Sequence, residues 1–296
     1  MRVTDKGMAN NNLSSMQTNL ERLTKLMQQS NSGLKINAPG DDPVGAQKAL
    51  QLKGTLLDND QYAKNIVTGT AWLGQTDNAM SSMGDLVARA HEIALRMSTG
   101  TVSAEDRATA VSEVTQLTGQ LVQLGNTQVA GKYIFGGFKN DLPPYDAVGS
   151  FTGTEDAVSI DVGKNSQVAI NYSGGKLLNG TGSVNGVNIF TELQNLSDGL
   201  NANDQSKIQG TITTLDTAQS QITTARSDAG SRMSRIENAT LNLDSTNIDL
   251  NKDLSKTQDA DVLKVYSDLA SQQTAYQASL TITSKMSQLS LLNYLK

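Results

Sequence analysis

The side chains that most often perform chemistry are scarce in this sequence. It contains no Cys and a single His, His91, among 296 residues. This excludes thiol catalysis, disulfides and Cys-ligated zinc or iron–sulfur sites. His91 is predicted to be a partly exposed residue in the middle of a helix, because no neighbouring residue completes a catalytic site around it. We therefore predict a protein that is not an enzyme, with no catalytic residue, cofactor site or metal site.

Two groups of neighbouring carboxylates could in principle bind an ion or act as an acid/base pair. Asp41 and Asp42 are adjacent, so their side chains point apart, and Asp42 followed by Pro43 is typical of a helix start. Asp259 and Asp261 receive the same interpretation. Both groups are predicted to cap helices.

Charged side chains also recur on the helical segments between residues 89 and 113. They are Arg89, Arg96, Arg107, Glu92, Glu105 and Glu113. Solvated ion pairs are the predicted role, because such residues alternate on exposed helical faces. The glycines at 180, 182 and 186 have the wrong spacing for a dinucleotide-binding loop, so a simple loop is predicted there.

Composition narrows the class of protein. The net charge is −5 and the pI is about 5.0, which lacks the basic footprint of a nucleic-acid binder. No apolar run reaches membrane-spanning length. The first 30 residues contain no apolar segment typical of a signal peptide. We therefore expect a cytoplasmic chain, or one exported by a route that needs no such peptide.

The elements that would position these residues are mostly amphipathic helices. An N-terminal heptad pattern with spacings of 3 and 4 consists of Leu13, Met16, Leu20, Leu23 and Met27. It ends at Ser32-Gly33, a helix-stop signal. A second apolar stripe runs between residues 58 and 98, and Ser103 with Asp106 forms a variant capping box for the next helix.

The C-terminal part repeats this design. Residues 233–254 keep heptad spacing with two polar positions, and a final helix follows Asp261. Its apolar face consists of Val262, Val265, Leu269, Tyr276, Leu280 and Met286. We predict that the two terminal helices pair as an antiparallel coiled coil and that the eleven apolar residues of both faces form an assembly seam. Polar positions weaken such seams, so the ends are expected to become ordered when many copies pack together.

The middle of the chain has a different character. Seven of the twelve aromatic residues lie between residues 131 and 190. Alternating runs at 157–162 and 167–172 are separated by a turn signal at 163–165, and Gly174-Gly175 indicates another turn. A small β-rich insert is predicted.

These observations give one predicted architecture: a mainly α, elongated helical bundle with paired terminal coiled-coil helices and a β-rich central insert. Three domains are expected. A terminal coiled-coil domain comprises residues 1–45 and 255–296, a helical bundle comprises 46–130 and 191–254, and the insert comprises 131–190.

Several motifs together resemble bacterial flagellins and their hook-associated relatives. They are SGLKIN at 32–37, DDPVG at 41–45, QYAKNI at 61–66, RAHEIA at 89–94, STGT at 98–101, EDR at 105–107, DAGSRM at 228–233 and DAD at 259–261. The resemblance covers about three quarters of the chain and omits the insert. It implies a flagellin-like fold.

Other residues resemble the members of this family that join hook to filament. Flagellins usually have Ala where this chain has Pro43. The link GKYIFGG at 131–137, the PPY at 143–145, the opening MRVT and the ending at 277–295 are similar to junction members. The resemblance implies a structural adapter between hook and filament.

The resemblance also implies partners and a location. The chain would be exported by the flagellar type III apparatus and reside outside the cell in the flagellum. Its partners would be the other hook-associated junction protein, flagellin, further copies of itself in a ring, and an export chaperone at the C-terminal helix. It would bind neither nucleic acid nor a membrane.

Three other functions are considered as alternatives to the adapter. The nearest is a short flagellin that forms the filament itself. A cytoplasmic coiled-coil signalling protein would explain the heptads but not the aromatic insert. A carbohydrate-active enzyme in the insert would have only dispersed carboxylates to work with.

Overall fold

A computed structural model describes residues 5–182 and 185–294 of the chain. Within these ranges there are seven α-helices and two small antiparallel sheets. The helices are α1 (Asp5–Ser32), α2 (Pro43–Met97), α3 (Ala104–Gly125), α4 (Gly174–Leu178), α5 (Ile189–Asn201), α6 (Gln205–Gln258) and α7 (Val262–Tyr294). The strands are β1 (Gln128–Val129), β2 (Lys132–Tyr133), β3 (Ser159–Gly163) and β4 (Ser166–Ala169). The predicted mainly helical fold with a small β-rich insert is confirmed.

The helix ends follow the local signals in the sequence. α1 stops before Gly33, which has a φ of +70°, a conformation that glycine adopts without a Cβ clash. Ser103 Oγ accepts a hydrogen bond from the Asp106 amide at 3.1 Å, as predicted for the start of α3. α2 is a single helix of 55 residues, so the apolar stripe at 58–98 belongs to the helix that starts at Pro43.

The chain divides into two compact units, and the boundaries fall inside α2 and α6. The terminal unit comprises Met1–Asp58 and Thr246–Lys296, and the central unit comprises Asn59–Ser245. The three domains expected from the sequence stay a prediction.

The central unit contains the hydrophobic core. Within it, α2 and α6 pack antiparallel, since Asp77 pairs with Arg226 at 3.0 Å and His91 lies 3.2 Å from Asp216. The core includes Met80, Met83, Ile93, Leu121, Leu215 and Ile222. The methionines of α2 are therefore packing residues, which suits their flexible side chains.

The insert carries both sheets. β3 and β4 form the predicted hairpin around the turn at Gly163-Lys164-Asn165, with Ile160 opposite Val168. The prediction of a turn at Gly174-Gly175 was wrong: these residues begin the short helix α4. A Cβ at Gly174 would lie 2.6 Å from the Tyr145 hydroxyl, so the residue type is set by close packing against that ring and not by a turn.

Candidate assembly surface

α1 and α7 pack against each other as an antiparallel pair in the terminal unit. The direction follows from their contacts, because Asn19 bonds Gln272 and Ser279 while Leu34 forms a β-bridge with Asp259. Leu23 and Val265 are buried between the helices, at 7% and 8% exposed. The predicted antiparallel pairing of the termini is confirmed.

The predicted seam residues do not all face the same way. Half-buried or buried ones are Met16, Leu23, Val265, Leu269 and Tyr276, whereas Leu13, Leu20, Met27, Val262 and Leu280 are exposed. The side chain of Met286 lies outside the described part of the structure. The structure therefore places five of the eleven predicted residues inside the pair and leaves five on its surface.

The exposed members on α1 form a regular row, which we call the α1 stripe: Leu13, Leu20 and Met27. They are 47%, 45% and 41% exposed and seven residues apart. Seven residues are almost two helical turns, so the three side chains lie along one line of the helix. The stripe has the spacing of a coiled-coil seam and is not covered by α7.

The terminal unit buries few apolar side chains and exposes many. Among the described residues, the buried hydrophobic ones in the terminal unit are Leu23, Ile36, Ala49 and Val265. Exposed large hydrophobic residues of that unit include Val44, Leu50, Leu57, Ile248, Leu263, Tyr266 and Ile282 in addition to the α1 stripe. Exposed apolar surface on this scale marks sites of association.

A clasp of backbone hydrogen bonds joins the two turns at the base of the α1–α7 pair. The amide of Lys35 donates to the carbonyl of Gln258 at 2.8 Å, and the amide of Ala260 donates to the carbonyl of Gly33 at 2.9 Å. The Lys35 ammonium adds a bond to the Lys256 carbonyl at 2.9 Å. The clasp holds the end of α1 beside the start of α7.

The carboxylates of these turns are structural. Asp42 Oδ1 accepts from the Gly45 amide at 3.0 Å and Asp261 Oδ1 from the Lys264 amide at 3.2 Å, so both cap helices as predicted. Asp41 instead organises the loop before α2, where the ion pair with Lys25 at 2.8 Å and two backbone amides lower its pKa from 3.8 to about 2. Asp259 contributes a backbone bridge to Leu34.

One arginine contradicts the prediction of solvated ion pairs. Arg107 is 5% exposed, and its guanidinium donates to the carbonyls of Met97 at 3.0 Å and Thr99 at 2.8 Å and to the Asn203 side chain. Met97 is the last residue of α2, so Arg107 satisfies carbonyls that a helix end leaves without a partner. No charge pattern in the sequence could reveal this role.

Arg89 and Arg96 do form surface ion pairs. Arg89 lies 3.0 Å from Glu92 and 2.7 Å from Glu113, and Arg96 lies 3.8 Å from Glu113. The two carboxylates raise the pKa of the Arg89 guanidinium. His91 is partly exposed beside Asp216, which matches the helix position predicted for it.

Within residues 5–182 and 185–294, no three His, Cys, Asp or Glu side chains converge where an ion could be held. None of the described helices has a stretch both long and apolar enough to span a membrane.

Comparison with known proteins identifies relatives over most of the chain. The bacterial flagellin N-terminal helical region matches residues 3–140, and the bacterial flagellin C-terminal helical region matches residues 212–295. Together these regions cover about three quarters of the sequence. The unmatched segment contains most of the β-rich insert.

Individual relatives include both hook-associated proteins and flagellins. Flagellar hook-associated protein 3 of Salmonella typhimurium is 27% identical, with 98% of each chain covered. A flagellin of Halalkalibacterium halodurans is 23% identical, covering 92% of this chain and 91% of its own. A solved flagellar hook-associated protein from Vibrio parahaemolyticus matches 74% of this chain and all of its own with a TM-score of 0.67 at 18% identity, which supports the fold.

Proposed function

Since the chain belongs to the bacterial flagellin family, we propose that it is a structural adapter subunit of the flagellum, forming the junction between hook and filament. Its similarity to flagellar hook-associated protein 3 extends over almost the whole of both chains. The sequence features that separate junction members from flagellins, Pro43 among them, point the same way. We infer that the chain performs no catalysis and acts through shape and association.

The observation that carries this proposal is the apolar surface of the terminal unit. Leu13, Leu20 and Met27 present a seam with coiled-coil spacing that nothing within the described chain covers. Moving an apolar side chain of this size from full exposure to full burial contributes about 1.5–3 kcal/mol. Because each of the three side chains is already more than half covered, complete burial would add roughly half of that or less. A subunit that packs side by side with copies of itself would cover this stripe and gain that stabilisation.

The partners follow from a position between hook and filament. One face of the ring would contact the other hook-associated junction protein, and the opposite face would contact flagellin. Before export, a dedicated chaperone would shield α7, whose Leu263 is 84% exposed. The assembled protein would reside outside the cell, and it would leave the cell through the flagellar export apparatus.

Deletion of the gene in its own bacterium tests the adapter function. Without the adapter, flagellin has no platform to polymerise on, so cells should carry hooks without filaments and release flagellin into the medium. Re-expression of the parent chain should restore filaments. Cells that keep normal filaments after the deletion would overturn the proposal. Hooks without filaments, together with no flagellin in the medium, would favour the alternative of a short flagellin.

A further inference from the structure

A group of polar side chains lies inside the α1–α7 pair. Asn19 Nδ2 donates to Ser279 Oγ at 2.9 Å, and Gln272 Nε2 donates to Asn19 Oδ1 and to the Asn19 carbonyl, both at 3.1 Å. All three side chains are half-buried. We call this group, formed by Asn19, Gln272 and Ser279, the polar layer.

The hydrogen bonds of the polar layer are mutually consistent. The Ser279 hydroxyl donates to the carbonyl of Ala275 at 2.9 Å, which leaves its oxygen to accept from the Asn19 amide. The Asn19 side chain thus donates to one residue of α7 and accepts from another seven positions away. Both of these hydrogen bonds can form together at only one alignment of α1 and α7.

Apolar contacts flank the polar layer and are less selective. Met16 and Leu23 on α1, with Leu269 and Tyr276 on α7, lie half-buried or buried on the facing surfaces. Apolar residues tolerate many partners of similar size, whereas a polar group inside a helix pair must meet its hydrogen-bonding partner or lose free energy. A shift of α7 by one heptad would leave Asn19 with at most one of its two partners.

We propose that the polar layer fixes the register of the α1–α7 pair and lowers the stability of the pair in return. A single polar residue in a coiled-coil seam is known to specify register at such a cost. The register also determines the outer surface of the pair, because it decides which exposed residues of α7 lie beside the α1 stripe. The proposal concerns pairing within one chain and stands apart from the proposed function.

Disulfide trapping can measure the register directly, because the chain has no Cys. Asn19 lies between Gln272 and Ser279, so in an antiparallel pair Leu26, one heptad later, lies opposite the stretch centred on Leu269. A Leu26→Cys, Leu269→Cys variant reports the observed register. A Leu26→Cys, Tyr276→Cys variant reports the register slipped by one heptad.

Disulfide formation in the purified full-length chain is compared for the two cysteine pairs in a glutathione buffer. With Asn19 present, the pair that reports the observed register should form at least about tenfold faster. With Asn19→Leu, the preference should fall below about threefold while the thermal midpoint of the helix pair stays the same or rises. A loss of packing alone would lower the midpoint and could not produce this combination.

Two further variants complete the test. Asn11→Leu makes the same substitution at an exposed position of α1 and should keep the tenfold preference. Asn19→Gln retains a donor and an acceptor and should restore much of it. If Asn19→Leu keeps the full preference, the backbone clasp between Gly33 and Ala260 sets the register and the proposal is wrong. Equal rates for both cysteine pairs in the parent background would also overturn it.

Discussion

Arg107 is a buried polar side chain that stabilises turns of this protein by hydrogen-bonding to several chain segments. Its guanidinium connects the end of α2, through the carbonyls of Met97 and Thr99, to Asn203 in the turn between α5 and α6. Asn203 has a φ of +53°, which Asn tolerates better than most residues. Three chain segments therefore depend on one side chain.

We expect Arg107→Met to lower the free energy of unfolding of the central unit by about 2–4 kcal/mol, because it leaves buried carbonyls without a donor. Urea unfolding followed by the fluorescence of Trp72, the only Trp, measures this unit, since Trp72 lies in its core. The control Arg96→Met removes an exposed cation 3.8 Å from Glu113 and should change stability by less than about 0.5 kcal/mol. Equal effects of the two variants would contradict this role for Arg107.

The loop before α2 should depend on pH through Asp41. The lowered pKa, about 2 instead of 3.8, means that the folded loop prefers the charged carboxylate. Its stabilisation is therefore fully present above about pH 4 and is lost as the pH falls through about 2. The NMR shifts of the Asn37 and Ala38 amides, which donate to Asp41, should titrate with a midpoint near this value.

A matched variant separates the causes of this shift. The ion pair with Lys25 contributes most to the lowered pKa of Asp41, so Lys25→Met should move the midpoint upward toward 3.8. A midpoint already near 3.8 in the parent protein would show that the carboxylate gains nothing from folding.

Among the helices, α2 shows how the neighbouring elements determine which residue a position can hold. A Cβ at Gly69 would lie 2.4 Å from Ile160 Cδ1, 3.1 Å from Ile170 Cγ2 and 3.3 Å from Ile236 Cδ1. The glycine therefore lets α2 approach both the β3–β4 hairpin and α6 closely. Gly74, on the same helix, has no atom within 4 Å of such a Cβ.

The two glycines should respond in opposite directions to substitution. Gly69→Val should destabilise the central unit by about 1–3 kcal/mol, because the three isoleucines are already packed together. Gly74→Ala should stabilise it by about 0.5–1 kcal/mol through helix propensity alone. Thermal unfolding of the two variants provides the measurement, and a stabilising Gly69→Val would show that the hairpin can move away from α2 at little cost.

The α1 helix allows folding and assembly to be separated, because Leu20 is exposed and Leu23 is buried against α7. Leu23→Asp should cost the α1–α7 pair about 3 kcal/mol or more, since it removes a buried apolar contact and buries a carboxyl group. Leu20→Asp should leave the helix pair intact, as measured by circular dichroism, and abolish incorporation into flagella.

Immunoblots of purified flagella measure that incorporation, and Leu20→Met, which keeps the stripe apolar, is the matched control. Normal incorporation of Leu20→Asp would show that the α1 stripe is not the assembly surface.

The sequence predicts where helices begin and end, but it does not predict which side of a helix contacts its partner. The caps at Asp42, Ser103 and Asp261 depend on neighbouring residues, so short patterns were enough to predict them. The heptad pattern groups Leu20 with Leu23 because it records spacing and not which flank meets the partner helix. No sequence pattern reveals the polar layer, because Asn19 and Gln272 are 253 positions apart and each is a residue type common on protein surfaces.

Across the whole molecule, the two units differ in how much apolar surface they bury. The central unit buries its large apolar residues and keeps a continuous core, whereas the terminal unit buries few and exposes many. The central unit therefore has a core of its own, whereas the terminal unit presents apolar surface that association would cover. The expectation that the ends become ordered only on assembly stays a prediction.

Immunogold electron microscopy of intact flagella, with an antibody against residues 131–188 of the insert, tests the junction role most directly. This segment lies largely outside the regions matched by the flagellin family, so the antibody can be selected against binding to flagellin. We predict a single narrow band of label at the boundary between hook and filament. Label along the whole filament would identify a flagellin, and label confined to the cell interior would contradict a flagellar role altogether.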